Sequence, residues 1–177
     1  IENFISSKIN GGIENFNISV GISDAFMDAV RLGRSWNLTD PNSKEVLKTL
    51  PAKKLWKEII ECAWKCGDPG LVFLDTINKV NPTPILGKMT STNPCGEQPL
   101  LPFESCNLGS LNLLAYVDSN SKKILWNQLE KDIPYMVRFL DNIIDLNTYP
   151  IFETEEITLK NRKIGLGIMG WADVLLE

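Results

Sequence analysis

The sequence contains no histidine, and this absence restricts its chemistry more than any other feature of its composition. Without an imidazole, the chain supplies no Ser-His-Asp or Cys-His catalytic group and no metal site with a histidine ligand. Acid–base chemistry within this chain therefore depends on carboxylates, thiols, tyrosines or lysines.

The sequence also lacks a basic surplus and a long apolar run. Its 18 lysines and arginines against 22 aspartates and glutamates give a formal net charge of -4, which offers no electrostatic footprint for nucleic acid or an anionic membrane. No apolar run reaches the roughly 20 residues that span a bilayer, and the N-terminus has no basic-then-apolar leader pattern. These features predict a cytoplasmic protein without nucleic-acid or membrane partners.

Cysteine is scarce as well, with four in 177 residues. That is too few, at spacings too irregular, for the disulfide framework of a secreted domain, so free thiols, metal ligands or redox groups are expected. Cys62 and Cys66 share a helix face and could join Cys95 and Cys106 in a structural zinc site of four thiolates. The spacing lacks the paired short knuckles of such sites, so Cys62 and Cys66 are predicted to be structural.

What is present indicates a folded α/β protein. An apolar share of 44% and a charged share of 23% suit one sizeable core. The chain lacks an initiator methionine and a helix stop at its end, which predicts a fragment of a larger protein. No repeat or linker interrupts it, so residues 1–177 are predicted to form one piece without an internal boundary.

Strand and helix patterns alternate along the chain. Alternating apolar residues predict a strand over 14–22, and Ser23 is expected to cap a helix that ends at Gly33. A polar loop is predicted over 34–45, followed by a helix from Pro51 to Gly67. The later predictions are a β-type run at 71–77, a loop at 78–97, a helix at 126–147 bent by Pro134, and a strand at 163–170. This alternation is typical of α/β folds.

The stretch "STNPCGEQPLLPFESCNLGSLNL" (91–113) carries the candidate chemistry. Pro94 and Gly96 disfavour a helix, so "NPCGE" is expected to be extended or turn-like. In an extended segment Asn93, Cys95 and Glu97 share one face, which presents an amide, a thiol and a carboxylate to a small polar substrate. The thiol suits a nucleophile or one-electron reagent, and the carboxylate suits proton transfer. The alternative is an ordinary loop with a buried cysteine beside a capping or salt-bridging glutamate.

Cys106 follows Cys95 by eleven residues. The two thiols could exchange electrons if the chain folds back, although spacing alone does not establish proximity. The alternative is that Cys106 is a small buried hydrophobe, the commonest fate of a free cysteine.

This loop resembles the finger loop, here about 91–106, of the ribonucleotide reductase large subunit. Its Asn-Pro-Cys-Gly-Glu form is similar to the adenosylcobalamin-dependent class II members. Three more stretches resemble the family in the same order: "ENFNISV" (14–20), "GDPGLVFLDTIN" (67–78) and "RKIGLGIMGWADVL" (162–175). The resemblance spans essentially the whole chain.

The resemblance implies a fold, an activity and a cofactor. The fold would be part of the family's ten-stranded α/β barrel with its central finger loop. The activity would be reduction of ribonucleotides, with a lean to diphosphates, to deoxyribonucleotides for DNA synthesis by a thiyl-radical mechanism. Adenosylcobalamin would supply the radical, whereas class I relatives take it from a separate subunit.

The resemblance also implies roles for four residues. Cys95 would be the thiyl radical that removes the 3′ hydrogen, and Glu97 would accept the 3′ hydroxyl proton. Asn93 would bind the ribose hydroxyls. Cys106 would be half of a redox-active disulfide whose partner lies on an upstream strand outside this chain. No metal ligand is implied.

The family's partners would be a deoxynucleotide or ATP effector, a thioredoxin-type reductant and a second subunit in a homodimer of the full-length protein. The regions that serve the effectors and the reductant lie outside the sequence, so this piece by itself is predicted to be inactive. The competing function is a non-catalytic α/β interaction domain, with or without the four-cysteine zinc site.

Overall fold

The computed structural model describes residues 1–9, 11 and 13–177. It divides into two compact units, Ile1–Pro99 and Leu100–Glu177. The sequence predicted no internal boundary, and the division falls within the short strand at residues 99–100 instead of in a linker. Assignment of 1–177 to a single domain of a longer protein stays a prediction.

The first unit combines short strands with four helices in its described residues. In chain order they are α1 (Glu2–Ile5), β1 (Ser19–Ile22), α2 (Asp24–Leu32), β2 (Ser35–Thr39), β3 (Val46–Pro51), α3 (Ala52–Cys66), β4 (Gly70–Phe73), α4 (Leu74–Lys79), a 3₁₀ turn (Pro84–Leu86) and β5 (Ser91–Thr92). Strands β1 and β4 pair in parallel, with Ser19 opposite Gly70. Strands β2 and β3 form an antiparallel hairpin.

The two longer helices of this unit begin and end where the sequence predicted. The Ser23 hydroxyl accepts a hydrogen bond from the Phe26 amide at 3.1 Å, and α2 ends at Gly33, whose φ of 67° is the left-handed conformation that glycine adopts without strain. Helix α3 starts directly after Pro51 and ends at Gly67. The ends of both helices are thus set by the conformational preferences of the capping serine, the proline and the two glycines.

Three predictions for this unit are wrong. The β-type run predicted at 71–77 is a strand only as far as Phe73, and the residues that follow form helix α4. Strand β1 begins at Ser19 and not at residue 14, and Phe16 is 68% exposed, so its alternation with Ile18 did not reflect a buried face. The predicted loop at 34–45 instead contains β2 and the hairpin turn, because Trp36 and Leu38 pack against the core on one face of the strand. Polar neighbours on the other face hid that period-two signal.

The core of the first unit lies among β1, α2 and α3. Its fully buried members include Ile22, Ala52 and Ile59, each at most 2% exposed. Apolar side chains from α1 and β3 complete the same cluster. Each Å² of apolar surface removed from water stabilises the folded state by about 25 cal/mol. This cluster is therefore the main source of stability for the scaffold that carries β5 and the following loop.

The second unit has its own strands and helices. They are β6 (Pro99–Leu100) at the division, β7 (Leu108–Asn112), a 3₁₀ turn (Leu113–Tyr116), β8 (Val117–Asp118), β9 (Lys123–Ile124), α5 (Trp126–Leu146), α6 (Phe152–Asn161), β10 (Gly165–Met169) and α7 (Trp171–Leu176). Strands β7 and β10 pair in parallel, with Leu108 opposite Gly165. The helix predicted at 126–147, with Pro134 inside it, is confirmed as α5, and the strand predicted at 163–170 is confirmed as β10.

The α/β class is confirmed, but the described residues form only two-stranded sheets and no closed barrel. A barrel needs a continuous ring of paired strands. The ten-stranded barrel therefore stays a prediction for a longer protein. None of the helices in the described residues is both long and apolar enough to cross a membrane.

Arg162 joins the end of α6 to α5. Its guanidinium lies 2.8 Å from carboxylate oxygens of both Asp141 and Asp145. Hydrogen bonds from Arg162 lower the pKa of both carboxyls below their ordinary value of 3.8. The same contacts raise the pKa of Arg162. This contact fixes the residues on either side of Arg162 relative to α5.

The Arg162 contacts predict acid-sensitive local stability. Because folding lowers the pKa of Asp141 and Asp145, their contribution is present above the ordinary value of 3.8 and is lost as pH falls through the folded values. Amide hydrogen exchange over residues 141–163, corrected for its intrinsic pH dependence, should show protection that falls on acidification. Asp145→Asn should lower this protection at neutral pH and flatten its pH dependence. Equal profiles for the two proteins would contradict the prediction.

Candidate active site

The loop after β5 closes on itself in a tight turn. The Gly96 amide donates to the Asn93 carbonyl at 3.1 Å, and the Asn93 amide donates to the Gln98 carbonyl at 3.1 Å. Pro94 is the second residue of this turn, where its fixed φ is favourable, and Gly96 has a φ of 84°. Cys95 therefore lies at the tip of a backbone loop that its own sequence stiffens.

Asn93 holds the base of the turn. It is only 8% exposed, its side-chain oxygen accepts from the Gln98 amide at 3.0 Å, and its side-chain amide donates to a carboxylate oxygen of Glu97. The amide and the carboxylate are thus paired before any substrate arrives. Cys95 and Glu97 are both exposed.

The structure corrects the expected route to this arrangement. The turn-like alternative predicted for "NPCGE" is confirmed by the turn from Asn93 to Gly96, whereas the extended backbone that would place residues 93, 95 and 97 on one face is not found. The turn brings Asn93 and Glu97 together because it reverses the chain between them. The catalytic roles of Asn93, Cys95 and Glu97 stay predictions.

A second asparagine, Asn17, braces the turn from a distant part of the chain. Its side-chain amide donates to the Pro94 carbonyl at 2.8 Å, across 77 residues of sequence. Asn17 lies just before β1, so the turn is tied to the parallel pair of β1 and β4. Sequence reasoning missed this residue, although it lies inside the stretch 14–20 that resembles the family.

The approach to the loop is fixed by Asn78 at the end of α4. Its side chain exchanges two 2.9 Å hydrogen bonds with the backbone of Met89, which is buried. These bonds hold residues 87–90, which have no regular secondary structure, against the end of α4. No periodic signal in the sequence could have identified this role.

A polar cleft of about 260 Å³ lies beside the turn. It is lined by Asn17, Ser19, Gly21, Val72, Leu74, Thr90, Ser91, Thr92, Asn93 and Pro94. Hydroxyl and amide groups dominate this lining, which suits hydroxyl-rich or phosphorylated ligands better than apolar ones. The cleft therefore has the chemistry to hold part of a small polar substrate next to the turn.

Cys106 belongs to the second unit. It is partly exposed and lies directly before β7, in an irregular segment at 104–107. The Asn107 side chain donates to the Leu140 carbonyl at 2.5 Å, and the Gly165 amide donates to the Asn107 carbonyl at 2.9 Å. These contacts fix the backbone just after the thiol.

Cys62 and Cys66 take different positions on α3. Cys62 is buried in the core, and burial raises the pKa of its thiol. The Cys66 thiol is exposed and donates to the Cys62 carbonyl at 3.3 Å. Within residues 1–9, 11 and 13–177, no three cysteine, aspartate or glutamate side chains come together as a metal site would require.

An exposed thiol on a stiff turn, with a carboxylate and an amide paired at its base, defines a candidate oxidoreductase site on an α/β scaffold. The family model described as "Ribonucleotide reductase, barrel domain" matches residues 1–177. The chain therefore belongs to the ribonucleotide reductase family, within its barrel domain.

Several curated relatives share this stretch. A protein of Thermoplasma acidophilum named "Vitamin B12-dependent ribonucleoside-diphosphate reductase" is 48% identical over 100% of this chain and 23% of its own length. A Mycobacterium tuberculosis protein of the same name is 45% identical over 97% of the chain and 25% of its own length. An Agrobacterium fabrum "Vitamin B12-dependent ribonucleotide reductase" is 34% identical over 93% of the chain and 13% of its own length. The chain thus spans about a quarter or less of these relatives.

Proposed function

We propose that this chain is part of the catalytic barrel of an enzyme that reduces ribonucleoside diphosphates to deoxyribonucleotides. Membership in the ribonucleotide reductase family supports the reaction class. The names of the Thermoplasma acidophilum and Mycobacterium tuberculosis relatives support the diphosphate substrate. Because the chain covers a minor part of those proteins, the activity belongs to the longer protein that contains it.

The geometry of the turn at Cys95 supports the assignment of the reaction to particular residues. The Pro94-Cys95-Gly96 turn holds a thiol at its tip, and Asn93 at its base donates to Glu97. A radical thiol must be held within contact distance of a single C–H bond, and a loop braced by backbone and side-chain hydrogen bonds meets that demand.

In the proposed reaction, the Cys95 sulfur radical takes the hydrogen atom from C3′ of the ribose and becomes a thiol. The Glu97 carboxylate takes the proton of the 3′ hydroxyl, so the oxygen bears the charge that assists loss of the 2′ hydroxyl. The exposed position of Glu97 leaves it accessible to a substrate hydroxyl.

Asn93 and Cys106 have supporting roles in the same proposal. One hydrogen of the Asn93 amide goes to Glu97, and the second is available to a ribose oxygen. As the 2′ hydroxyl leaves as water, Cys106 and an upstream cysteine outside this chain give up two electrons and two protons and become a disulfide. Cys95 then returns its hydrogen atom to C3′, and Glu97 returns its proton to the 3′ oxygen.

Adenosylcobalamin, which the relatives' names point to, supplies radical chemistry when it is bound. The exposed Cys95 thiol fits this role, because its hydrogen atom is accessible to a radical generated outside the described residues. A class I arrangement, in which a separate subunit generates the radical, is the alternative source.

An assay of the full-length protein tests the proposal. Purified protein with a ribonucleoside diphosphate and a dithiol reductant should form deoxyribonucleotide only when adenosylcobalamin is added. Activity that instead needs a second, radical-generating subunit would support the class I source. Absence of deoxyribonucleotide under both conditions, with bound zinc by metal analysis, would support the interaction-domain function and refute the proposal.

Asn17→Ala tests the brace on the turn. Losing the bond to Pro94 should let the turn shift by a fraction of an ångström and lower kcat by roughly ten- to a hundredfold. The free energy of unfolding should change by only about 1 kcal/mol, as for one ordinary hydrogen bond. Steady-state kinetics of the full-length enzyme measure the effect.

Asn37→Ala is the matched control, because the Asn37 side chain also takes part in one exposed hydrogen bond in the first unit, which it accepts from the Thr49 hydroxyl at 2.7 Å. It should leave kcat unchanged. A similar kcat for both variants would show that Asn17 does not position the turn.

The remaining partners also stay proposals for the longer protein. They are a thioredoxin-type reductant, deoxynucleotide or ATP effectors, and a homodimer. A cytoplasmic location stays a prediction.

A further inference from the structure

A buried carboxylate stands two residues before Cys106. The Glu104 side chain is fully buried, with 0% of its surface exposed, and pairs with Lys163, whose ammonium lies 2.5 Å away and whose side chain is 10% exposed. A charge in such a place is strongly disfavoured unless it is paired and hydrogen-bonded. The proposed reaction assigns no role to either residue.

Glu104 is satisfied on both oxygens. Besides Lys163, one oxygen accepts from the Leu101 amide at 2.8 Å, and the other accepts from the side-chain amide of Asn161. Asn161, Arg162 and Lys163 are consecutive, and Arg162 turns the opposite way onto α5. Glu104, Asn161 and Lys163 are called the Glu104 clasp here.

The clasp imposes its geometry on the backbone. Phe103, next to Glu104, has a φ of 62°, and Arg162, between the other two members, has a φ of 48°. The left-handed region is unfavourable for non-glycine residues, which persist there only where surrounding contacts hold them. The contacts of the Glu104 carboxylate hold the backbone next to Phe103, and the contacts of the Arg162 guanidinium with α5 hold the backbone at Arg162.

The residues around Cys106 are tethered in turn. Glu104 is held by the clasp, and the Ser105 hydroxyl lies 2.9 Å from that of Thr158, which is 3% exposed. Asn107 is bonded to Leu140 and Gly165. Cys106 sits among these contacts in a segment without regular secondary structure, and its thiol is partly exposed.

We infer that the Glu104 clasp is a positioning device for the Cys106 thiol, and that Glu104 is a positioning residue for the reductive half of the reaction. The inference rests on the proposed function of Cys106. In that step the ribonucleotide gains two hydrogens and loses water while two thiols become one disulfide. An irregular segment can hold a thiol for this exchange only if side-chain contacts replace the missing backbone ladder.

The test separates positioning from simple stabilisation. Replacing a buried ion pair by apolar side chains of similar size is often neutral or stabilising, so the double variant Glu104→Met with Lys163→Met is expected to fold. A purely structural pair would then leave Cys106 unchanged. Glu104→Gln, which keeps an oxygen acceptor in place, is the second variant and carries the test if the double variant does not fold.

Two readouts on the full-length protein report on Cys106. In the reduced protein without cofactor or substrate, the rate of Cys106 alkylation by iodoacetamide, followed by mass spectrometry, should change about tenfold in the double variant and less in Glu104→Gln. With adenosylcobalamin and a ribonucleoside diphosphate but no external reductant, the first turnover and the accompanying Cys106 disulfide should form about tenfold more slowly.

Glu177→Gln is the matched control, because Glu177 also pairs with a lysine, Lys122, at 2.5 Å in the same unit. It should match the wild-type protein in both readouts. Folded clasp variants that equal the control in alkylation and in disulfide formation would overturn the inference. Failure of the wild-type protein to form deoxyribonucleotide or a Cys106 disulfide would refute the proposed function instead, and alkylation would still decide whether the clasp positions the thiol.

Discussion

Full-length protein carrying Cys95→Ser is expected to fold normally and to lose deoxyribonucleotide formation by at least about 10³-fold. A serine O–H bond is too strong to give up its hydrogen atom as a thiol does, so the serine oxygen cannot form the radical that starts the reaction. The fold should persist because Cys95 is exposed and its turn is held by contacts of Asn93, Pro94 and Gly96. Product analysis by chromatography and the unfolding transition measure the two outcomes.

Cys66→Ser is the control for this experiment. Cys66 is likewise an exposed free cysteine of the first unit, and its thiol contacts only backbone carbonyls of Cys62 and Asp68 among the bonds described. Its replacement should leave turnover within about twofold of the wild-type rate, as is usual for surface substitutions. Retained turnover in Cys95→Ser would refute the assignment of the radical thiol.

Glu97→Gln is expected to lower kcat by about 10²- to 10⁴-fold, the range typical of a lost general base. Glutamine keeps an oxygen that can accept the Asn93 amide hydrogen bond, so the turn should hold its shape while the proton acceptor is removed. The change should therefore appear in kcat with little change in KM. Steady-state kinetics and the unfolding transition of the full-length protein test both statements.

Glu61→Gln provides the comparison, because Glu61 is an exposed carboxylate of the first unit that pairs with Lys57 at 3.5 Å on α3. It should not alter kcat. If Glu97→Gln turns over at the wild-type rate, the carboxylate takes no part in proton transfer, and its bond to Asn93 serves only to close the turn.

The parts of the fold that the sequence predicted correctly are those with local causes. Ser23 and Gly33 bound α2, and Gly67 ends α3, because capping and left-handed glycines act within a few residues. The hairpin of β2 and β3 was missed for the opposite reason. Its buried face is defined by packing of Trp36 and Leu38 on the core cluster, and these two side chains alone carry the strand signal in an otherwise polar stretch.

The candidate site divides in the same way. The quoted loop was enough to single out Asn93, Cys95, Glu97 and Cys106, because residue types and spacing carry the family pattern. The pairing of Asn93 with Glu97 arises from a turn that the sequence allowed but did not require. The brace from Asn17 was invisible to local reasoning, since 77 residues separate it from Pro94.

By itself, the sequence determined the chemistry at hand: no imidazole, a thiol and a carboxylate on a loop stiffened by proline and glycine, and helices with clear ends. Only the tertiary structure decided which polar side chains hold that loop and which surround Cys106. Glu104 and Lys163 are 59 residues apart, and each lies shortly before one of the paired parallel strands β7 and β10. Side-chain chemistry is a property of each residue, whereas proximity between distant residues is created by the burial of apolar surface that folds the whole chain.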